Sequence, residues 1–144
     1  MQRVRDILDQ KGRQIFGIPV DATVYHAIEV MAEREVGALL VMQQNRPVGI
    51  ISERDYTRNV ILKDRSSKRT QVEDIMTAEL VTVSPEEPID DCVALMKRHH
   101  IRHLPVMDAD EVIGMLSLRD LFAAIIDEQA HTIEHLEHYV RGEV

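Results

Sequence analysis

Apolar positions along this chain fall into two patterns that superimpose. In the first, a short apolar run at 15–18 precedes Val24, Ala27, Ile28, Met31 and Ala32 at helical spacing, with Thr23 placed as the helix cap. Two continuous apolar runs follow at 38–42 and 48–51, joined by residues 43–47, a connection of hairpin length. Continuous rather than alternating apolar runs predict strands covered on both faces. A further helix begins at Ser52. The second pattern is the first shifted along the chain without a gap, residues 15–61 falling on 80–126. It has an apolar run at 80–83, then Ile89, Cys92, Val93 and Met96, then runs at 104–107 and 113–116, then a helix from Ser117. Glu86, Glu87, Asp90 and Asp91 crowd the start of its first helix, where negative charge is favoured.

The repetition extends to identities, including Met31/Met96, Leu39/Leu104, Val41/Val106, Gly49/Gly114, Ser52/Ser117, Arg54/Arg119 and Asp55/Asp120. A shorter echo precedes each copy, residues 4–8 against 72–76. Its shift is slightly larger, so the first copy carries a small insertion around 9–14. The predicted organisation is a repeat over 4–62, a basic linker over 63–71 with Lys63, Arg65, Lys68 and Arg69, a second repeat over 72–127, and a helical extension over 128–144. The last helix is expected to run from Asp120 to about His138, with Gly142 as its stop.

Chemistry concentrates where each pattern passes from strand to helix. Gly49-Ile50-Ile51-Ser52-Glu53-Arg54-Asp55 and Gly114-Met115-Leu116-Ser117-Leu118-Arg119-Asp120 share the form Gly, two apolar residues, Ser, two spacers, Asp. Ser and Asp then occupy a helix's first turn, where free N–H groups and the positive dipole end favour an anion or a ribose. Ser-x-x-Asp also fits a capping box, which needs no ligand. Recurrence of the whole motif at a fixed displacement favours ligand binding, and both roles are compatible.

The doubled frame resembles the CBS domain, named from cystathionine β-synthase, in its tandem-pair form. The resemblance rests on Asp74-Ile75-Met76, on the runs Val36-Gly37-Ala38-Leu39-Leu40-Val41 and Ile101-Arg102-His103-Leu104-Pro105-Val106, and on the doubled turn, and it covers roughly residues 4–126. It implies an α/β (α+β) fold of two pseudo-twofold-related β-α-β-β-α repeats packed sheet to sheet, with two clefts between them. It further implies an adenosyl ligand, AMP, ADP or ATP, or else NAD or S-adenosylmethionine, as a regulatory ligand rather than a required cofactor. A homodimer and a separate effector protein are implied as partners. By the same resemblance Asp55 and Asp120 match the ribose acceptor, Ser52 and Ser117 the phosphate-side hydroxyl, and the backbone at Gly17-Ile18 and Thr82-Val83 the adenine edge. Arg54 and Arg119 offer planar forks to phosphate. Arg102 and His103 stand where the first copy has Gly37 and Ala38. The clefts are therefore expected to differ, with the Ser117–Asp120 cleft preferring the more anionic ligand and His103 adding a pH dependence near neutrality.

Composition narrows the function classes. A net charge of −8 argues against a non-specific grip on nucleic acid or anionic lipid. The single cysteine, Cys92, allows no intrachain disulfide and sits at a core spacing. No run approaches the roughly 20 apolar residues of a membrane helix, and the N-terminus does not read as a signal peptide, so a cytoplasmic protein is expected. Neither a Walker-type phosphate loop nor a nucleophile–base pair accompanies the turns, which points away from an enzyme. A scaffold that dimerises with empty clefts is the competing reading. His131, Glu134, His135 and His138 share one side of the last helix, where a solvated face or dimer seam is favoured over a divalent-metal site. Beside them Ile125, Ile126, Ile133, Leu136 and Val140 form an apolar stripe suited to a dimer seam.

Overall fold

Thr23 caps its helix as the spacing predicts, its Oγ1 accepting from the His26 amide at 3.1 Å in a computed structural model that describes residues 2–142. The elements run α1 (Val4–Lys11), β1 (Gly17–Pro19), α2 (Val24–Arg34), β2 (Ala38–Gln43), β3 (Arg46–Ser52) and α3 (Glu53–Tyr56), which continues as a π turn over Thr57–Ile61. The second half holds a 3₁₀ turn (Val72–Asp74), then α4 (Ile89–His99), β4 (His103–Asp108), β5 (Glu111–Ser117) and α5 (Leu118–Val140). In the first half β1 lies parallel to β2 and β2 antiparallel to β3. In the second half β4 and β5 pair antiparallel, and the counterpart of β1 is a single parallel bridge, Val83 to Val106.

That bridge is shorter than the strand expected over 80–83, and one residue explains why. In the first half the Leu40 amide donates to the Phe16 carbonyl at 3.1 Å. The equivalent of Leu40 is Pro105, which has no N–H to give to Val81. Only Val83 N to Pro105 O and Met107 N to Val83 O remain.

Both hairpins share a local irregularity, a shift of register after Val41 and after Val106, opposite Gly49 and Gly114. The first hairpin closes through Gln44 and Asn45, both at positive φ (52° and 62°), the conformation that matches strand twist. Helices α2 and α4 end alike, on Glu35 and His100 in the left-handed region, each donating its amide to a methionine carbonyl, of Met31 and Met96.

The leads cross over. Val4, Ile7 and Leu8 of α1 are buried with Val83, Cys92, Met96, Leu104, Leu116 and Leu121, the core of the second half. Val72 and Ile75, the second lead, are buried with Ile18, Val24, Met31, Leu39 and Val60, the core of the first. Each buried aliphatic side chain contributes about 1.5–3 kcal/mol, so neither core is complete without the other half's lead. The crossing explains the two motif glycines. A Cβ on Gly49 would lie 2.5 Å from Met76 Sδ and 3.0 Å from the Thr77 carbonyl oxygen; one on Gly114 would lie 2.7 Å from Leu8 Cδ2. These glycines serve close packing of the leads, and the sharp strand-to-helix turns follow at Ser52 and Ser117.

The linker packs on α2, with Val24 N donating to Thr70 O, Tyr25 N to Ser67 O, and Lys68 over the Tyr25 ring. Helix α5 ends at Val140, and Gly142 takes positive φ (72°) as a stop. Residues 143–144 of the extension lie outside the described residues. Of the apolar stripe, Ile125 turns inward against the second core. Phe122 takes its place, and Phe122, Ile126, Ile133, Leu136 and Val140 are all more than half exposed. Among the described residues no helix is long and apolar enough to cross a membrane, and no group of three His, Cys, Asp or Glu is placed to hold a metal. His138 instead lies 4.0 Å from Glu134. Cys92 is fully buried, and burial, with Glu87 and Asp91 nearby, pushes its thiol up to about 12.

Candidate functional site

Two clefts lie between the halves, each built from the Ser-x-x-Asp turn of one half and the β1-side segment and helix C-terminus of the other. The larger, about 1070 Å³, holds Ser117, Arg119 and Asp120 opposite Phe16, Arg34 and Glu35. The smaller, about 490 Å³, holds Ser52, Arg54 and Asp55 opposite Val81, His99 and His100. Both volumes suit a ligand of nucleotide size. Gly37, Glu53, Arg102 and His103 line both, forming a shared partition.

The turns are built identically. The first amide of each helix donates across to the other hairpin strand's lead-in, Glu53 N to Gly37 O at 3.1 Å and Leu118 N to Arg102 O at 2.8 Å. The capping box closes in both copies. Ser52 N donates to Asp55 Oδ2 at 2.8 Å and Asp55 N to Ser52 Oγ at 3.2 Å; Ser117 N donates to Asp120 Oδ2 at 2.8 Å and Asp120 N to Ser117 Oγ at 3.1 Å. The capping requirement is thus met, and both half-buried carboxylates still line their clefts.

The two carboxylates are not electrostatically equal. Lys11, at the end of α1, donates to Asp120 Oδ2 at 2.7 Å and to the Met115 carbonyl at 2.7 Å. Burial alone would raise Asp120, but the Lys11 bond, the Ser117 amide and the Ser117 hydroxyl together hold it below the ordinary carboxylate range. Among the described residues no ammonium pairs with Asp55. Burial lifts it above its ordinary value, against the Ser52 hydrogen bonds and the charges of Arg54 and Arg58.

Several side chains stand away from where the sequence places them. Arg102 and His103, expected to mark the Ser117–Asp120 cleft, belong to the partition and line both clefts. The His103 ring packs on the Gly37 backbone, a Cβ there lying 3.6 Å from its Nε2, and burial pushes its pKa down to about 4. It therefore does not titrate near neutrality, contrary to the expectation from its residue type. Arg54 donates Nη1 to the His100 carbonyl at 3.2 Å, tying the first turn to the end of α4. Arg119 lines the larger cleft. Ala38 lines it too, beside Gly37. Ile18 and Val83 are core residues, 2% and 4% exposed, and the cleft-lining positions are their neighbours Phe16 and Val81. Gly17 and Thr82 lie between these, exposed, outside both linings. Phe16 is held under the Arg34 guanidinium, 5.3 Å from its centroid, and gives the larger cleft an aromatic wall. The linker cations Lys63, Arg65, Lys68 and Arg69 line neither cleft.

This doubled architecture has counterparts. The CBS-domain family model matches residues 4–61 and again 72–127. The chain belongs to the CBS-domain family. A mitochondrial CBS domain-containing protein of Arabidopsis thaliana, CBSX3, is 39% identical over 148 residues, covering 96% of this chain and 72% of that one. The solved structure of a protein with CBS domains from Burkholderia ambifaria is 46% identical with a TM-score of 0.86, covering 89% of this chain and 96% of that one. The CBS domain protein PAE2072 of Pyrobaculum aerophilum, solved in complex with AMP, is 29% identical with a TM-score of 0.77, covering 90% of this chain and 99% of that one. The chain is thus a tandem CBS pair of mixed α/β fold.

Missed at the level of sequence were Lys11, Phe16, Arg58 and Glu79. No repeat signal marked Lys11, which falls in the first copy's insertion around 9–14, while the gapless shift carried one residue back sets Glu79 against Gln14.

Proposed function

We propose that this CBS pair is a regulatory module that binds adenine nucleotides in its two inter-repeat clefts. The ligand class is AMP, ADP or ATP, with NAD or S-adenosylmethionine as alternatives. The observation behind this reading is the duplicated placement of Asp55 and Asp120, each capped by its serine and each on a cleft wall. A ribose cis-diol offers two O–H donors, and a carboxylate accepts both in charge-assisted bonds. Ser52 and Ser117, with the adjacent first-turn amides, suit the phosphate side. Arg54 and Arg119 stand beside each turn, and the residues flanking Gly17-Ile18 and Thr82-Val83 form the wall opposite, where an adenine would lie. The AMP complex of the Pyrobaculum relative supports the ligand class.

Binding is read out through shape. Each cleft spans both halves, so a ligand that fits one relative disposition better shifts the population towards it. A homodimer through the exposed stripe of α5 would convey the change to a separate effector protein. The module is regulatory rather than an enzyme in this reading, and a cytoplasmic location fits it. One observation favours a second reading, a scaffold with empty clefts: the capping boxes and the Lys11 bond already engage Oδ2 of both carboxylates. Thermal denaturation of nucleotide-free protein separates the two. At a hundredfold excess over Kd, a ligand that binds only the folded form adds about 2.7 kcal/mol, or roughly 5–10 °C in Tm. No rise with any adenosyl ligand would establish the scaffold.

A further inference from the structure

The two clefts are related by the repeat, yet the chain following each crossing lead brings opposite charge to them. The crossing leads deliver it. Leu8 packs on Gly114 and Met76 on Gly49, which fixes the correspondence of the leads in space. Three residues beyond each, Lys11 closes helix α1 and lines the Ser117–Asp120 cleft, while Glu79, on the irregular segment after the 3₁₀ turn, lines the Ser52–Asp55 cleft. Lys11 is not an incidental surface lysine. Its ammonium is seated between the Asp120 carboxylate and the Met115 carbonyl, both at 2.7 Å, so it is held at the cleft wall.

We propose that Lys11 and Glu79 sort the clefts by ligand charge, so that the Asp120 cleft takes polyphosphorylated adenosyl ligands and the Asp55 cleft takes neutral or weakly anionic ones. The proposal rests on the nucleotide reading above. A ribose diol that spans both oxygens of Asp120 meets Lys11 at Oδ2, where the Ser117 amide is bound as well, and a Lys11 loosened there needs a new anionic partner. A ligand carrying phosphates supplies one within the same cleft, so the ion pair is exchanged rather than lost. Adenosine supplies none and must leave Lys11 without its partner. Across the partition the situation is reversed. Glu79 opposes added negative charge, Arg54 on the turn is already engaged with the His100 carbonyl, and Arg58, the further guanidinium of this lining, already acts on the Asp55 carboxylate. The Lys11 bond helps to depress the Asp120 carboxyl, in line with the positive end of this polarity.

The test is calorimetric titration of the nucleotide-free full chain with adenosine, AMP and ATP, each site assigned from crystal structures of the complexes. ATP should fill the Asp120 cleft first. Lys11→Met should weaken ATP there by about tenfold or more without weakening adenosine, and Lys11→Arg should keep the ATP preference. Glu79→Lys, at an exposed position where folding is not at stake, should raise ATP affinity in the Asp55 cleft by a similar factor. The proposal fails if both clefts show the same ratio of ATP to adenosine affinity. It also fails if Lys11→Met shifts both ligands equally, or if Glu79→Lys leaves ATP binding unchanged. A wild-type protein that binds no adenosyl ligand would overturn the nucleotide reading itself, and this proposal with it.

Discussion

Lowering the pH from 7.5 to 5 tests how tightly the partition between the clefts is packed, because His103 sits in it uncharged. Its ring lies against Gly37, and burial depresses its pKa from 6.5 to about 4, the Lys11 and Arg102 charges adding to the effect and Asp120 opposing it. The unfolded chain therefore binds a proton on this residue between pH 6.5 and 4 that the folded chain refuses. Where the unfolded state binds more protons, stability rises with pH. The neutral ring thus contributes its full stability above pH 6.5 and loses it progressively as the pH falls towards 4. The full depression corresponds to about 3 kcal/mol, of which about 2 kcal/mol is already lost at pH 5. Urea unfolding of the wild type and of His103→Gln at the two pH values isolates this residue from carboxylates that titrate in both proteins. At pH 7.5 the variant should be the less stable, through lost packing. At pH 5 the gap should close or invert, moving by the same amount that the wild type loses through His103. A gap that is the same at both pH values would show that His103 titrates normally and that the partition is open to water.

Further outcomes follow from the packing. Gly49→Ala should destabilise by about 1–3 kcal/mol, because its Cβ meets the Thr77 carbonyl as well as Met76, whereas Gly114→Ala meets only the flexible Leu8 side chain and should cost less; thermal denaturation ranks the two. Ile126, Ile133 and Val140 recur at heptad spacing with Leu136 between them, the spacing of a coiled-coil seam, so Ile133→Glu with Leu136→Glu should turn the proposed dimer into a monomer in light scattering at micromolar concentration. A wild type that is already monomeric there would remove α5 as the route of assembly.

The frame of the fold was legible because its signals are local: Thr23 caps, Gly142 stops, and the apolar runs of both hairpins became strands with only their ends adjusted. The doubled turn was legible because repetition singled it out from ordinary capping. Long-range relations were not. Aligning the two leads does not say that each enters the other half's core, since Val, Ile and Leu suit either. Pro105 reads as a tolerated strand residue until its missing N–H is set against the bond Leu40 makes. Arg102 precedes β4 and His103 begins it, so the sequence alone places both at that half's cleft. Their position in the partition emerges only when the halves face each other.

The central claim is that the Asp55 and Asp120 carboxylates hold a nucleotide rather than merely cap helices. Calorimetric titration of AMP or ATP into nucleotide-free wild type, Asp55→Ala and Asp120→Ala decides it, with unfolding free energy measured on each. Loss of a hydrogen bond to a charged acceptor costs about 1.5–3 kcal/mol, so each variant should lose roughly tenfold or more in affinity at one cleft and keep the other. Lower stability in both variants with nucleotide affinity unchanged would contradict the account and leave the carboxylates as caps alone.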